Sequence, residues 1–318
     1  MAREPAAKGP REIVIRDSTL REGLDVPGVA FTTEQRLAIA RLLDHANVPE
    51  IEIVSPGKVF EDLEFARRLQ AEGLRIRTSG LVYSSRPRCR EEVAAISGCL
   101  DRLDLLMPVS EKRKPYDRAA KTSVLLDALD QSLKHLSHVG VGFPHATQAD
   151  PEFLLEISRE SVKKGAKRVV VYDTNGSADP FAIHDLIRCV KENLDVPVFF
   201  HAHNDLGMAT ANSLAAARAG ADGLDATVNG LGDRAGNAPL EQVVMSLHLK
   251  GFQTGISLEA LKRLSDTVAR ESGVEVSMLA PIVGAYVATH KSPGHLEIPE
   301  LFEAFEPSLV GLRRKIDV

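Results

Sequence analysis

Short runs of apolar, often β-branched residues recur along this chain, and longer amphipathic stretches separate them, as expected of strands and helices in alternation. Eight such runs are legible: IVIRDS from Ile13, EIEIVS from Glu50, RIRTSGLV from Arg75, RLDLLMPV from Arg102, HVGVGF from His138, RVVVYDT from Arg168, VPVFFHAH from Val196 and GLDATVNG from Gly223. Intervening segments such as TTEQRLAIARLLDHA and DPEFLLEISRESVKKGA carry an apolar face at helical spacing. Each has a capping or acidic residue early, and the second has Gly near its end. Eight strand–helix units in about 240 residues predict an α/β fold, a (β/α)8 TIM barrel, because a doubly wound sheet would have about six strands.

The pattern predicts a barrel over residues 12–254, after a polar leader over 1–11. Residues 255–318 contain one helix pattern, SLEALKRLSDTVARESG, and then a Pro- and His-bearing stretch. That tail is too short for a core of its own, so it is expected as a C-terminal helical extension, a lid on the barrel mouth and a homodimer contact.

The net charge of -5 and pI near 6.1 supply no basic field for nucleic acid or an anionic membrane. The basic cluster EKRKP, Glu111 to Pro115, reads as a solvated loop. Cys89, Cys99 and Cys189 are far apart and form no CxxC, so neither a disulfide framework nor a cysteine zinc site is expected. The N-terminus has no apolar targeting core, no run is long enough to span a membrane, and a cytoplasmic setting is expected.

In a barrel of this type, chemistry gathers at the C-terminal ends of the strands. The chemically capable residues fall there: Asp17, Thr19, Arg21 and Glu22 in RDSTLREG, Glu52 in the second run, Asp173 and Thr174 in YDTNG, His201 and His203 in HAHNDLG, and the loop NGLGDRAGN. Strand residues two apart share a face, so both histidines are expected to point inward. Asp17 across the barrel would complete a set of two imidazoles and one carboxylate for a divalent ion. Asp17 with Arg21 also reads as a strand-end salt bridge, and Glu52 as a residue that orients Arg21 or touches substrate.

Taken together, RDSTLREG, HAHNDLGMATANSLAAARAGADGLDATVNGLGDRAGNAPLEQV and VGAYVATHKSPGH resemble the DRE-TIM metallolyase superfamily, which holds isopropylmalate, homocitrate and citramalate synthases and hydroxymethylglutaryl-CoA lyase. The resemblance runs from Ile13 to Val318. It implies a divalent metal (Mg, Mn or Zn) on Asp17, His201 and His203, with Asn237 as ligand or close neighbour. Arg21 would bind the 2-oxo acid and stabilise the enolate oxygen, Thr174 would hold the substrate carboxylate, and Glu22 would border the substrate. His295, with Glu52 as a second catalytic candidate, would move a proton.

The implied activity is Claisen condensation of an acyl-CoA with a 2-oxo acid; the alternative is retro-Claisen or aldol cleavage at the same site. NGLGDRAGN has the synthase form and lacks the cysteine of the lyases. Gly140, His145 and Gln148 replace charged residues usual after the fifth strand, and Phe302 stands where a tyrosine is frequent. A barrel that had lost its chemistry and served as a scaffold is disfavoured, because Asp17, Arg21, His201, His203 and Asn237 are all retained.

Overall fold

The computed structural model describes residues 11–112, 114 and 116–317. All but Arg11 of the leader lies outside the described residues, as do Arg113 and Pro115 of the basic cluster. Eight parallel strands close into a barrel in chain order: β1 (Val14–Asp17), β2 (Glu50–Val54), β3 (Arg77–Tyr83), β4 (Arg102–Leu106), β5 (Val139–Phe143), β6 (Val169–Asp173), β7 (Val198–Ala202) and β8 (Gly223–Ala226). The ring closes where β1 pairs with β8, Arg16 opposite Asp225 and Asp17 opposite Ala226. Each predicted run forms a strand. The seventh stops at Ala202, so His203 lies just beyond it, in an isolated antiparallel bridge with Asn237.

The helices start and stop where local chemistry dictates. Thr32 and Gln35 form a reciprocal capping box ahead of Thr33–His45. Asp150 caps Pro151–Lys164, which has proline in its first turn and ends at Gly165 in the left-handed region at φ 117°. Alternation along the strands turns Ile15, Ile53, Leu105, Val141 and Phe200 outward into one large apolar core shared with the helices.

The lumen is different in kind. Arg16 on β1 contacts Asp104 on β4, strands that are not neighbours in the sheet, so this ion pair crosses the barrel. A separate small apolar cluster, Leu81, Leu106, Val170, Tyr172 and Phe199, fills space beside it. The charged filling replaces the branched aliphatic layers usual in such barrels.

The helix Leu261–Ser272 belongs to the main core: Leu261, Leu264 and Val268 are buried in it, and the Ser265 carbonyl accepts from the Asn229 amide. The rest of the tail is short 3-10 turns, a short helix and a parallel pair of two-residue strands, Thr289–His290 with Lys315–Ile316. Its Ile298, Leu301 and Phe302 are each more than half exposed. Among the described residues all three cysteines are free, and no helix is long and apolar enough to cross a membrane.

Candidate active site

Glu22, His201 and His203 each direct one ligand-type atom into a common space, all within 4.8 Å of one another, and all three residues are buried. No other such group of histidine, cysteine or carboxylate side chains occurs among the described residues. His201 comes from the end of β7, His203 from the residue after it, and their rings are 5.1 Å apart. Glu22 ends a helical turn, Thr19–Glu22, that folds back over the mouth directly after β1.

His201 Nδ1 lies 2.9 Å from Asp225 Oδ2. Burial alone would lift the Asp225 carboxyl, but Arg16 and His201 hold it well below the usual range, so it is ionised and can only accept. The hydrogen therefore sits on Nδ1, and the Nε2 lone pair faces Glu22 Oε1 at 3.4 Å. Two acceptors so placed repel unless a cation or proton lies between them. Nε2 of His201, Nδ1 of His203 and both polar atoms of the Asn237 amide are buried without a hydrogen-bond partner. Burial, and then His201, push His203 down to about 3, which keeps its ring neutral and available to a metal. Burial opposes ionisation of Glu22, yet the Arg21 guanidinium beside it brings it down to about 2. This donor set fits a divalent cation.

Arg21 sits beside the group, held on two sides: Nη2 is 2.6 Å from Glu22 Oε1, and Nε donates to Glu52 Oε2. Glu52 also accepts from the Ser18 hydroxyl and pairs with Arg16. Arg16 is the hub, fully buried, bidentate to Asp225 (2.8 and 2.6 Å) and 2.6 Å from Asp104. It fixes Arg21 through Glu52 and His201 through Asp225. Tyr172, paired in register with His201, lies against its ring at 4.8 Å between centroids, with a buried hydroxyl that has no partner.

The structure does not bring Asp17 into this group. Arg16 points into the lumen, and strand alternation turns Asp17 outward, where its carboxylate accepts from the Thr19 amide and hydroxyl at 3.0 and 2.9 Å. Asn237 lies beside His203 through their backbone bridge. The Thr174 hydroxyl accepts from the His145 amide at 2.8 Å, tying the loops after β5 and β6 together. His295 lies in the tail, its ring stacked on Phe302 and its Nδ1 3.2 Å from that of His290. Sequence reasoning missed Arg16, Asp104, Tyr172 and Asp225; the signal available was a charge at an inward strand position, costly unless paired.

The sequence model of the HMGL-like family matches residues 12–268. The chain belongs to the HMGL-like family. Among its curated relatives is Homocitrate synthase AksA of Methanopyrus kandleri, 36% identical over 316 residues, covering 96% of this chain and 79% of that protein. Another is 2-isopropylmalate synthase 2 of Caldanaerobacter subterraneus subsp. tengcongensis, 31% identical over 320 residues, covering 98% and 83%. Among solved structures, an HMG-CoA lyase of Bacillus subtilis superposes with a TM-score of 0.75 over 88% of this chain and 99% of that one, at 19% identity, a likeness of fold alone.

Proposed function

We propose that this HMGL-like chain joins an acyl-CoA to a 2-oxo acid by Claisen condensation at the barrel mouth, and that Glu22, His201 and His203 hold its divalent ion, with Asn237 as a further ligand. The observation that carries this reading is the buried convergence of Glu22, His201 and His203 beside Arg21, with His201 Nε2 and His203 Nδ1 left without partners. The names of its curated relatives, homocitrate and 2-isopropylmalate synthases, support the same reaction class.

A bound divalent ion would supply Lewis acidity toward the carbonyl and carboxylate oxygens of the 2-oxo acid. Arg21 donates to the oxygen on which negative charge grows, and Glu52 keeps its fork in place, so little reorganisation is needed as charge develops. Asp225 fixes the tautomer of His201. The Thr174 hydroxyl, which accepts from His145, keeps its own hydrogen for the substrate carboxylate. The acyl methyl loses a proton, its carbon bonds to the 2-oxo carbon, and thioester hydrolysis then releases the CoA thiol.

His295 is the proposed base. It sits in a segment whose Ile298, Leu301 and Phe302 are exposed, and we read that segment as a homodimer contact that carries His295 to a barrel mouth. A cytoplasmic setting fits these substrates.

The test follows CoA thiol release from acetyl-CoA against short, branched and acidic 2-oxo acids with added Mg, Mn or Zn. Release that requires both the oxo acid and the metal is expected. Release independent of the oxo acid, or cleavage of hydroxyacyl-CoA with no condensation, would overturn the proposal.

A further inference from the structure

The tail past the barrel holds a line of polar side chains that ends at His295. The Glu303 carboxylate accepts from Arg314 twice, from Nε at 2.7 Å and from Nη2 at 2.8 Å, and its Oε1 also lies 2.9 Å from His290 Nε2. The other ring nitrogen of His290, Nδ1, lies 3.2 Å from Nδ1 of His295. Arg314, Glu303, His290 and His295 are thus joined in that order.

The direction of each bond follows from the fixed end. A carboxylate gripped on both oxygens by a guanidinium stays ionised and can only accept, so the hydrogen between Glu303 and His290 sits on His290 Nε2. With His290 neutral, the state of an ordinary imidazole above about pH 8, its Nδ1 is then a bare acceptor. Two bare ring nitrogens 3.2 Å apart would repel, so the hydrogen between them belongs to His295 Nδ1. A neutral imidazole with its hydrogen on Nδ1 keeps its lone pair on Nε2, and Nε2 of His295 makes no hydrogen bond among the described residues.

Both rings are held in place. His290 ends a two-residue strand, Thr289–His290, paired with Lys315–Ile316, and its carbonyl accepts from the Asp317 amide at 2.9 Å. The ring of His295 is stacked on Phe302, with centroids 3.9 Å and planes 16° apart, which fixes its plane.

We propose that His290 and Glu303 are positioning residues for His295: they hold it in the tautomer with hydrogen on Nδ1, which leaves Nε2 free to take the proton of the acyl methyl. This deepens, and rests on, the reading of His295 as the base. The methyl carbon keeps the electron pair that forms the bond to the 2-oxo carbon, and the proton goes to Nε2. The imidazolium so formed donates through Nδ1 to His290, whose own hydrogen points at the Glu303 carboxylate.

Nitrogen NMR of the full chain with 15N-labelled histidine, at about pH 8.5 where an ordinary imidazole is neutral, reads the tautomer with no substrate present. His295→Gln identifies the His295 signals by their loss. The expected result in the unsubstituted chain is a His295 with hydrogen on Nδ1 and a bare Nε2. His290→Phe should return His295 to a mixture of tautomers and lower kcat for CoA thiol release about tenfold, with KM for the 2-oxo acid within about twofold. His290→Asn, whose side-chain oxygen can stand in for Nδ1, should restore both the tautomer and kcat. Hydrogen on Nε2 of His295 in the unsubstituted chain, or a tautomer unmoved by His290→Phe, would overturn the proposal. Thiol release unaffected by His295→Gln would overturn it from the other side, removing the base role while the tautomer stays fixed, so the two failures are told apart.

Discussion

Two sets of buried carboxylic acids in this barrel ionise in opposite directions. In the lumen and at its mouth, burial would lift Asp104, Asp225 and Glu22, but Arg168 and Arg16, then Arg16 and His201, then Arg21 outweigh it. On the outer side, Asp17 and Glu241 are as deeply buried but have no ion pair among the described residues, and desolvation pushes both up to about 7. Asp17 has only Thr19 to stabilise its charge, and Glu241 only backbone amides such as that of Asn229. The same chemical group at the same burial is thus fully charged or only about half ionised near pH 7 according to whether a guanidinium shares its space. The lumen is the part of the molecule organised to hold charge, and there the metal candidates gather.

The largest break of this contrast is Arg16→Met, which strips the shared cation from Glu52, Asp104 and Asp225 at once. Unfolding in urea should show a loss of about 3–5 kcal/mol or more, the cost of stranding buried charges. A loss below about 1 kcal/mol would mean that the lumen ions do not depend on one another.

Next, Glu22→Gln should weaken binding of Mn2+ at least about 100-fold, judged by titration of the apo protein, while Asp17→Asn changes it less than about twofold. The reverse outcome would return Asp17 to the ligand set and refute the reading of strand parity.

The outer set gives a pH signature. A carboxyl whose folded value is raised stabilises the fold fully below its unfolded value near 4.5, and loses that contribution as pH rises through about 7. Glu241→Gln should therefore flatten the decline in stability between pH 5 and pH 8, by on the order of 2–3 kcal/mol, with the neighbouring Asp17 left as the residual titrating group. Identical pH profiles for the two proteins would rule out an unpaired Glu241.

A smaller effect on metal binding than that of Glu22→Gln is expected from Asp225→Asn, which keeps the shape but lets His201 take either tautomer. Mn2+ affinity should fall about tenfold when measured on the folded protein, while stability also drops because buried Arg16 loses a charged partner; unchanged Mn2+ affinity would refute the tautomer role.

The barrel was legible along the chain because its shell obeys local rules: apolar runs of strand length, helical periods between them, and caps such as Thr32 and Asp150. The placement of His201, His203 and Arg21 at or just after strand ends was legible as well, since strand ends collect polar groups in this architecture. The choice between Asp17 and Glu22 was not. Both are acids in one short stretch, and only the parity of β1, with Arg16 inward, and the turn Thr19–Glu22 decide which of them looks into the mouth.

The amino-acid order by itself determined the eight-fold repetition and the kinds of groups at the strand ends, because hydrophobic period and turn chemistry act over a few residues. Tertiary structure alone decided which buried charges meet. Arg16 and Asp225 are 209 positions apart, and Arg168 and Glu50 are 118 apart. Barrel closure brings such partners within hydrogen-bond reach in a space from which water is excluded, and there pairing fixes which carboxylates stay ionised.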